Sequence, residues 1–205
     1  MAYCNWCKTS PINQRYHDEE WGVPLHDDNK QFEFLMLEVL QCGISWSIVI
    51  NKRDIFRSCF DNFDYEKIAS YDKNMIEKIM ATKGMIKSRK KTEAIIHNAK
   101  CFINIRREFG SFSRYLWKFT DNKTILYDKH GDGFIPASNG LSDVISADLK
   151  KRGFKFLGPV TIYSHLQACG IINDHGSDCP CYKNIIENYP CRKQHRDNEK
   201  NVVKF

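Results

Sequence analysis

The stretch at residues 27–43, DDNKQFEFLMLEVLQCG, decides how the chain is organised. Asp28 is a good helix N-cap, and Gly43 can end a helix roughly four turns later. Residues 32–50 are apolar enough to resemble a membrane span, but they include two glutamates and a glutamine. Such side chains are unfavourable at the centre of a bilayer. The sequence therefore predicts a long helix in the core of the protein.

Helix start and stop signals recur along the rest of the chain, whereas period-2 alternation is scarce. Asp64 and Asp72 can each cap a helix, and Ser88 can cap another that carries one apolar stripe. The last pair of helices is predicted in SDVISADLKKRG, which begins with a serine cap, and in PVTIYSHLQACG, which begins with proline. The predicted fold class is all-α, with a long loop at residues 120–140.

The composition favours a polyanionic partner that offers faces for stacking. The 205 residues carry a formal net charge of +6, a pI near 8.8 and 13% aromatic side chains. A chain of this length forms one domain, or two closely packed lobes, around a proper core. Nucleic acid is the first partner to test. Nine cysteines and no charged-then-apolar leader favour reduced thiols in a cytoplasm over a disulfide framework.

Glu38 is a carboxylate in an apolar position. The other residues of segment 35–40 are leucine, methionine or valine, so this side chain can hardly reach water. Because burying an unpaired charge is unfavourable, such a group is paired, protonated or available to a ligand. A structural ion pair or a place at the helix edge is the simpler explanation. If Tyr16, Trp21 and Trp46 meet Glu38, they form a site for a flat, electron-poor or cationic ring.

Side chains that can bind metals cluster at both ends of the chain. They are Cys4, Cys7, His17, His175, Cys179 and Cys181. These nitrogen and sulfur donors exceed what a tetrahedral zinc ion needs, and their spacing matches no familiar zinc finger. A closed four-ligand site would be structural and would pin the N-terminus to the C-terminal segment. Buried free cysteines and a Cys4/Cys7 redox pair are the alternatives.

A basic turn joins two amphipathic helices at residues 80–96, MATKGMIKSRKKTEAII. Its glycine, Gly84, lies between Lys83 and Lys87. A tight glycine turn before a helix N-terminus presents free backbone N–H groups to a phosphate, and nearby cations add attraction that is independent of base sequence. A solvated helical hairpin without a ligand is the alternative.

Several long motifs follow one another along the chain: YHDEEWGVP, LEVLQCGISW, KGMIKSRKKTEAIIHNA, LKKRGFKFLGP and QACGIINDH. Through these motifs the chain resembles 3-methyladenine DNA glycosylase type I, a bacterial base-excision repair family of the helix-hairpin-helix superfamily. The resemblance extends over nearly the whole length up to about Cys181. It implies a monofunctional enzyme that flips 3-methyladenine out of alkylated double-stranded DNA, hydrolyses the N-glycosidic bond and leaves an abasic site.

The resemblance also implies how the chain is divided. Residues 1–186 would form a single glycosylase domain, with a helix-hairpin-helix region at about 74–107. A second lobe would be built from residues 1–20 and 170–181 and tied by a structural Zn²⁺. The polar tail at 187–205 has no match in the family and is predicted to be disordered, and an electrostatic arm for DNA is the alternative.

The zinc ligands that the resemblance implies are Cys4, His17, His175 and Cys179. Cys7 and Cys181 would then be extra thiols, and their nearness leaves open which cysteine of each pair binds the ion. His17 would face the metal, while its neighbour Tyr16 would face the pocket.

The base pocket that the resemblance implies is lined by aromatic side chains and one glutamate: Tyr16, Trp21, Trp46 and Glu38, with Trp6 as a further wall. Glu38 would mainly recognise the base, and any activation of water would be secondary. Two departures from the family pattern bear on the shape of this pocket. Asn13 stands where some members carry an aromatic residue, and Cys42 stands where a small aliphatic residue is expected.

The DNA contacts that the resemblance implies come from two turns. The hairpin would grip the DNA backbone through Gly84, Met85, Ile86, Lys87, Ser88 and Arg89. Gly43 and Ile44, between Glu38 and Trp46, would approach the gap left by the flipped base.

The expected setting is a monomer in the bacterial cytoplasm that meets the nucleoid through DNA and releases free 3-methyladenine. A zinc-stabilised DNA-binding protein without catalysis is the first rival function, and Glu38 argues against it because a buried acid has no use in a pure backbone binder. A metalloenzyme with one ligand position open to water is the second rival. The surplus of ligands argues against that one.

Overall fold

The computed structural model describes residues 4–128, 135–195 and 200–203, and the fold is mostly helical. Parts of the predicted loop at 120–140 and of the tail at 187–205 lie outside these ranges. The α-helices are α1 (Pro11–Glu19), α2 (Asp28–Gln41), α3 (Trp46–Asn51), α4 (Arg53–Cys59), α5 (Tyr65–Ala69), α6 (Lys73–Ala81), α7 (Arg89–Phe109), α8 (Phe112–Trp117), α9 (Gly140–Lys151), α10 (Pro159–Ala168) and α11 (Pro180–Asn188). Short 3₁₀-helices cover Asn5–Thr9, Asp61–Phe63 and Lys118–Thr120. Across the described ranges, no helix is both long and apolar enough to cross a membrane.

Helix α2 lies at the centre of the core, as its sequence predicts. Its apolar side chains point in every direction and contact α3, α7, α8 and α10. Those with no exposed surface are Phe32, Leu35, Met36, Leu37, Val39 and Leu40.

The cap of α2 differs from the prediction by one residue. Asp27, not Asp28, accepts the backbone N–H of Lys30, at 2.8 Å. The Asp28 carboxylate instead accepts the N–H groups of Phe112 and Ser113, at 3.1 and 2.9 Å. It therefore caps the start of α8, a contact that is distant in sequence and invisible to a local pattern.

The other predicted caps are confirmed in part. Asp64 and Asp72 cap α5 and α6, and Pro159 opens α10. Ser88 occupies the cap position of α7 but makes no side-chain cap bond. The predicted serine cap of α9 is wrong, because Asn139 is the cap and Ser142 is its reciprocal partner three residues later.

Four short strands add to the mostly helical fold that the sequence predicts. They are β1 (Thr124–Tyr127), β2 (Ile135–Ser138), β3 (Cys191–Gln194) and β4 (Lys200–Val203). β1 pairs in parallel with β3, and β2 pairs antiparallel with β4. The predicted loop therefore contains β1 and β2, and part of the tail predicted to be disordered is hydrogen-bonded.

The burial of β1 gives the physical reason for this pairing. All four of its residues are buried, so their backbone N–H and C=O groups need partners. On one side Ile125 exchanges hydrogen bonds with Ile171 and Asn173, at 2.8 and 3.1 Å. On the other side the tail strand β3 completes the pairing, and a partner so far along the chain leaves no local signal.

Two glycines let the segment after α1 pass close to the end of α10. Gly170 has φ +73°, and a Cβ there would lie within 2.6 Å of backbone atoms of residues 22–24. Leu25 donates its N–H to the carbonyl of Cys169 at 3.1 Å. A Cβ on Gly22 would lie 2.6 Å from the imidazole of His175. This crossing brings the first and last sequence motifs together.

Candidate active site and metal-binding cluster

A cavity of about 150 Å³ lies where α1, α2, α3 and α10 meet. Its lining residues are Trp6, Tyr16, Trp21, Glu38, Gln41, Trp46, Ile135, Ser164 and Gln167. All five side chains predicted to bind a base belong to this set. The structure therefore brings together residues that lie on four separate segments of the chain.

The aromatic walls of the cavity are in contact with one another. The rings of Tyr16 and Trp46 have centroids 5.0 Å apart at an interplanar angle of 41°. Trp6 meets Trp21 edge to face at 5.1 Å and lies 6.3 Å from Tyr16. Such pairs hold ring orientations, so the cavity offers preformed faces for a flat ligand.

Glu38 differs sharply from Glu33, which is on the same helix and is equally buried. Their exposed fractions are 5% and 6%. Glu33 accepts from Arg53 at 2.9 Å and from Arg57 at 2.7 Å. The side-chain carboxyl group of Glu38 has no ion-pair or hydrogen-bond partner among the described residues; only its backbone carbonyl accepts a bond, from the thiol of Cys42. The ion pair that the sequence offered as the simpler explanation for Glu38 is therefore absent among the described residues, and it is Glu33 that has such a pair.

The electrostatics of the two carboxyl groups follow from these contacts. Burial raises the pKa of Glu38 to about 8. Burial acts in the same direction on Glu33, but the hydrogen bonds from Arg53 and Arg57 outweigh it and lower the pKa. Burial, and next the Glu38 carboxylate, raise the pKa of Tyr16 well above its usual range. Tyr16 and Glu38 are thus two electrostatically coupled groups in the lining of the cavity.

The burial of Glu38 makes stability depend on pH. Between its ordinary pKa of 4.5 and about 8, the unfolded chain has lost the proton that the folded protein keeps. Stability is therefore fully retained below the lower value and falls as pH rises towards the upper one. At roughly 1.4 kcal/mol per pH unit, Glu38→Gln should raise the free energy of unfolding by roughly 3 kcal/mol at about pH 7 and leave it unchanged at about pH 4. Urea unfolding at both pH values measures this difference.

Glu33→Gln is the matched control for that experiment. It changes the same chemical group at the same burial, but it leaves Arg53 and Arg57 short of an anion, so it should destabilise the protein at about pH 7. Equal effects of the two variants at that pH would contradict the unpaired state of Glu38.

Four cavity residues were not predicted: Gln41, Ile135, Ser164 and Gln167. Gln41 had a readable signal, because it lies three residues after Glu38 and shares its helix face. Gln167 donates its amide nitrogen to Asp174 at 2.9 Å, and Tyr163 also donates to that carboxylate, at 2.5 Å. These contacts join α10 to the last motif and could not be read from spacing.

A second cavity of about 200 Å³ adjoins the first and shares Glu38, Gln41 and Ser164 with it. Gly43 and Ile44, predicted to approach the DNA, line this second cavity. Cys42 lies beside them, with its sulfur 3.7 Å from the hydroxyl oxygen of Thr161. The turn between α2 and α3 therefore borders the second cavity, next to Glu38.

The two chain ends form a compact set of metal-binding side chains. The ligand atoms of Cys4, His17, His175 and Cys179 all lie within 4.8 Å of one another. His17 Nε2 is 3.1 Å from His175 Nδ1, and the nitrogen–sulfur separations are 3.7, 3.7 and 3.8 Å. Tetrahedral zinc would separate two nitrogens by about 3.3 Å and a nitrogen from a sulfur by about 3.6 Å. The donor set fits a tetrahedral ion.

Hydrogen bonds at the far side of each imidazole support this fit. His175 Nε2 lies 3.1 Å from the carbonyl of Trp21, which can only accept, so the proton is on Nε2. His17 Nδ1 lies 2.7 Å from the Asp18 carboxylate, which in the same way places its proton on Nδ1. Both remaining lone pairs then face each other inside the cluster, and a cation between them would relieve the repulsion. Burial, and next His17, lower the pKa of His175 to about 3, which keeps it neutral.

The same cluster supports the cavity walls. Trp21 packs edge to face on His175 at 4.5 Å, and Trp6 packs on His17 at 5.6 Å. Cys4 immediately precedes the 3₁₀-helix that carries Trp6. Cys7 instead donates its thiol to the carbonyl of Cys4 at 3.0 Å and is absent from the four-residue set. Cys181 groups only with His17 and Asp18.

The segment predicted to form the hairpin folds as α6, a turn at residues 82–88, and α7. Gly84 has φ +86°, as a tight turn requires, and Met85 is buried in the core. Lys87 donates to the carbonyls of Met80 and Thr82, and Arg89 pairs with Glu77 at 2.6 Å. These charged groups are thus engaged within the protein.

The backbone of the hairpin turn is more open than its charged side chains. The N–H groups of Ile86 and Lys87 have no acceptor within the part of the chain that the structure describes. They lie just before the N-terminus of α7, where peptide dipoles favour an anion. The turn therefore offers backbone donors to a phosphate.

The family model, two curated relatives and the solved structures agree with one another. The methyladenine glycosylase family model matches residues 6–182. DNA-3-methyladenine glycosylase 1 of Escherichia coli is 40% identical over 182 residues, covering 89% of this chain and 97% of that protein. A crystal structure of 3-methyladenine DNA glycosylase I aligns with a TM-score of 0.82 at 40% identity, covering 88% of this chain and 99% of the other. A variant of 3-methyladenine DNA glycosylase I in complex with 3-methyladenine aligns with a TM-score of 0.82 at 35% identity, covering 88% and 97%.

Proposed function

The chain belongs to the methyladenine glycosylase family, and from this we propose that it excises 3-methyladenine from alkylated DNA. It hydrolyses the N-glycosidic bond, releases the free base and leaves an abasic site. The observation that most directly supports this function is the buried Glu38, with its unpaired carboxyl group, in a cavity walled by Trp6, Tyr16 and Trp46. A protein that only bound the DNA backbone would gain nothing from such a group.

The cavity suits a cationic purine better than a neutral one. Methylation at N3 places positive charge on adenine, and an electron-poor ring gains from stacking on Trp46 and its neighbours. A cation beside Glu38 favours the carboxylate over the protonated acid. The carboxylate can then accept hydrogen bonds from the adenine edge. Glu38, which ionises beside the charged base, thereby selects that base.

The positive charge of the methylated base makes it a good leaving group, and this accounts for much of the reactivity. A positively charged base departs readily, so the protein need not protonate it strongly. As the glycosidic bond breaks, positive charge grows on the sugar while it falls on the ring. The carboxylate of Glu38 would stabilise the developing sugar charge, and its burial would strengthen that interaction. Recognition of the base is its main role, and activation of water is secondary.

The metal-binding cluster is proposed to hold structural Zn²⁺ through Cys4, His17, His175 and Cys179. Four protein ligands close the site, so no position remains for a reacting water. The ion would tie the N-terminal 3₁₀-helix to the segment before α11 and so support Trp6 and Trp21. This arrangement argues against a metalloenzyme.

The proposed DNA contacts are the hairpin turn and the turn after α2. The helix-hairpin-helix would bind one backbone phosphate through the N–H groups of Ile86 and Lys87, with Gly84, Ser88 and Arg89 alongside. Met85 can contribute only its backbone, since its side chain is buried. Gly43 and Ile44 would face the gap in the duplex.

The wider setting is part of the same proposal. Residues 1–186 act as one glycosylase domain, and the matched relatives include bacterial proteins. The protein would work as a cytoplasmic monomer that meets the nucleoid through double-stranded DNA.

Release of free 3-methyladenine from methylated duplex DNA, with EDTA present throughout, tests the function. We expect wild-type protein to release the base and Trp46→Ala to slow release about 10- to 100-fold at saturating DNA, because one stacking face is lost. DNA affinity should change by less than about threefold. EDTA resistance would agree with a metal that does not take part in the reaction.

Trp46→Phe is the control for that variant, since it keeps an aromatic face and should retain most of the rate. DNA binding without release by the wild-type protein would contradict the proposed function and favour a non-catalytic binding module.

A further inference from the structure

Lys91 is a buried lysine that connects the hairpin to the helix carrying Glu38. Its exposed fraction is 9%. Its ammonium donates to the carbonyl of Leu40 and to the carbonyl of Cys42, both at 2.6 Å. The lysine lies in the first turn of α7, whereas both acceptors lie at the C-terminal end of α2.

This position is unfavourable for a lysine by local rules. A cation in the first turn of a helix opposes the helix dipole, and removing an ammonium from water is costly. Desolvation lowers the pKa of Lys91, in agreement with that cost. Its neighbour Lys90 is also in the first turn, but it is exposed and its ammonium stays in water. Burial of only one of these two adjacent lysines indicates a compensating role at position 91.

The carbonyl groups at the C-terminal end of α2 compensate for the cost of burying the Lys91 ammonium. The last carbonyls of a helix lack intrahelical donors, and the negative end of the dipole favours a cation there. Cys42 directly precedes Gly43 and Ile44, and Leu40 lies two residues after Glu38. One ammonium therefore holds the backbone between the cavity carboxyl and the turn proposed to enter the DNA.

The hairpin turn is also held, by hydrogen bonds from two other lysines. Lys52, just after α3, donates to the carbonyl of Gly84 at 2.6 Å. Lys87 closes the end of α6 from within the turn. Hydrogen bonds thus hold the turn proposed to bind phosphate on both sides, and Lys91 connects the start of α7 to α2.

We propose that Lys91 is a positioning residue that sets the register between DNA held at the hairpin and the cavity that receives the flipped base. Phosphate binding at the turn then places the target nucleotide opposite Glu38 and places Ile44 at the gap. This inference rests on the proposed glycosylase function, because the register has meaning only if a base enters the cavity.

Lys91→Met and Lys90→Met form a matched pair, since each removes one positive charge and the two sites are adjacent. For each variant we would measure the single-turnover rate of 3-methyladenine release at saturating DNA, the affinity for DNA, and the affinity for free 3-methyladenine by tryptophan fluorescence. All assays are run well below the unfolding temperature of the least stable protein.

Lys91→Met should lower the saturated release rate about 10- to 100-fold, because small misplacements of a reacting group have effects of that size. Its affinities for DNA and for the free base should each change by less than about threefold. Lys90→Met should keep the saturated rate within about twofold. If methionine at 91 prevents folding, Lys91→Gln, which is too short to reach both carbonyls, takes its place.

Two results would overturn the inference. One is an equal saturated rate in Lys91→Met and Lys90→Met, since the lysine would then act through charge alone. The other is a loss of free-base affinity as large as the loss in rate, since the lysine would then only maintain the cavity. Failure of the wild-type protein to release the base is a different result and would refute the proposed function instead.

Discussion

Glu38→Gln is expected to slow the release of 3-methyladenine roughly 10²- to 10³-fold while leaving DNA affinity nearly unchanged. The glutamine keeps the size of the side chain and one acceptor, but it cannot become an anion. A buried anion stabilises both the cationic base and the developing charge on the sugar, and loss of such a group has effects of this order. Single-turnover release at saturating DNA measures the change.

The pH dependence supplies an independent check on this role. Because burial raises the pKa of Glu38 to about 8, the free protein holds the neutral acid at lower pH. The value of kcat/KM reports ionisation in the free protein, so it should rise with pH and level off near that pKa. The glutamine variant should lack this dependence.

Glu33→Gln is the control, because it changes an equally buried carboxylate of the same helix that does not line the cavity. Its release rate should stay within about threefold of wild type at a temperature where it is folded. A glutamine variant at position 38 that kept full excision would refute both the recognition and the catalytic roles of Glu38.

Cys4→Ser is expected to prevent binding of the proposed zinc ion and to lower the free energy of unfolding by on the order of 4 kcal/mol. A serine hydroxyl is a poor zinc ligand, and structural zinc contributes directly to folding energy. The loss should be felt first at the 3₁₀-helix Asn5–Thr9, which follows Cys4 and carries Trp6. Metal analysis of the purified protein and urea unfolding measure the two effects.

Cys7→Ser is the matched control for the metal. It lies three residues further along, and its thiol donates to a carbonyl, a contact that a serine hydroxyl can also make. This variant should keep about one zinc per chain and near-normal stability. Loss of zinc in Cys7→Ser, with retention in Cys4→Ser, would reverse the ligand assignment.

Local sequence was most informative where a residue broke the pattern around it. Glu38 could be singled out because a carboxyl group among leucines, methionine and valine is unusual on a helix. Asp64 and Asp72 were readable as caps for the same local reason. The strand β1 was missed because its partners lie in the tail and after α10, and strand pairing leaves no local signal.

The choice among neighbouring candidates needed the tertiary structure. Cys4 and Cys7 are equivalent as ligands by composition, but only the fold turns Cys4 towards His175 and gives Cys7 a backbone carbonyl. Lys90 and Lys91 are equivalent by charge, but only packing against α2 buries one of them. In each pair the difference arises from an atom far away in the chain.

By itself the sequence determined the helical class, the central helix and the residue types that the cavity and the cluster require, because caps, periodicity and misplaced polar groups act over a few residues. Only the tertiary structure decided which of two buried glutamates on α2 is free to meet a ligand. Arg53 and Arg57 neutralise Glu33, and no cation reaches Glu38 within the described chain. Burial of a charge can be read locally, whereas its neutralisation depends on partners that only folding brings near.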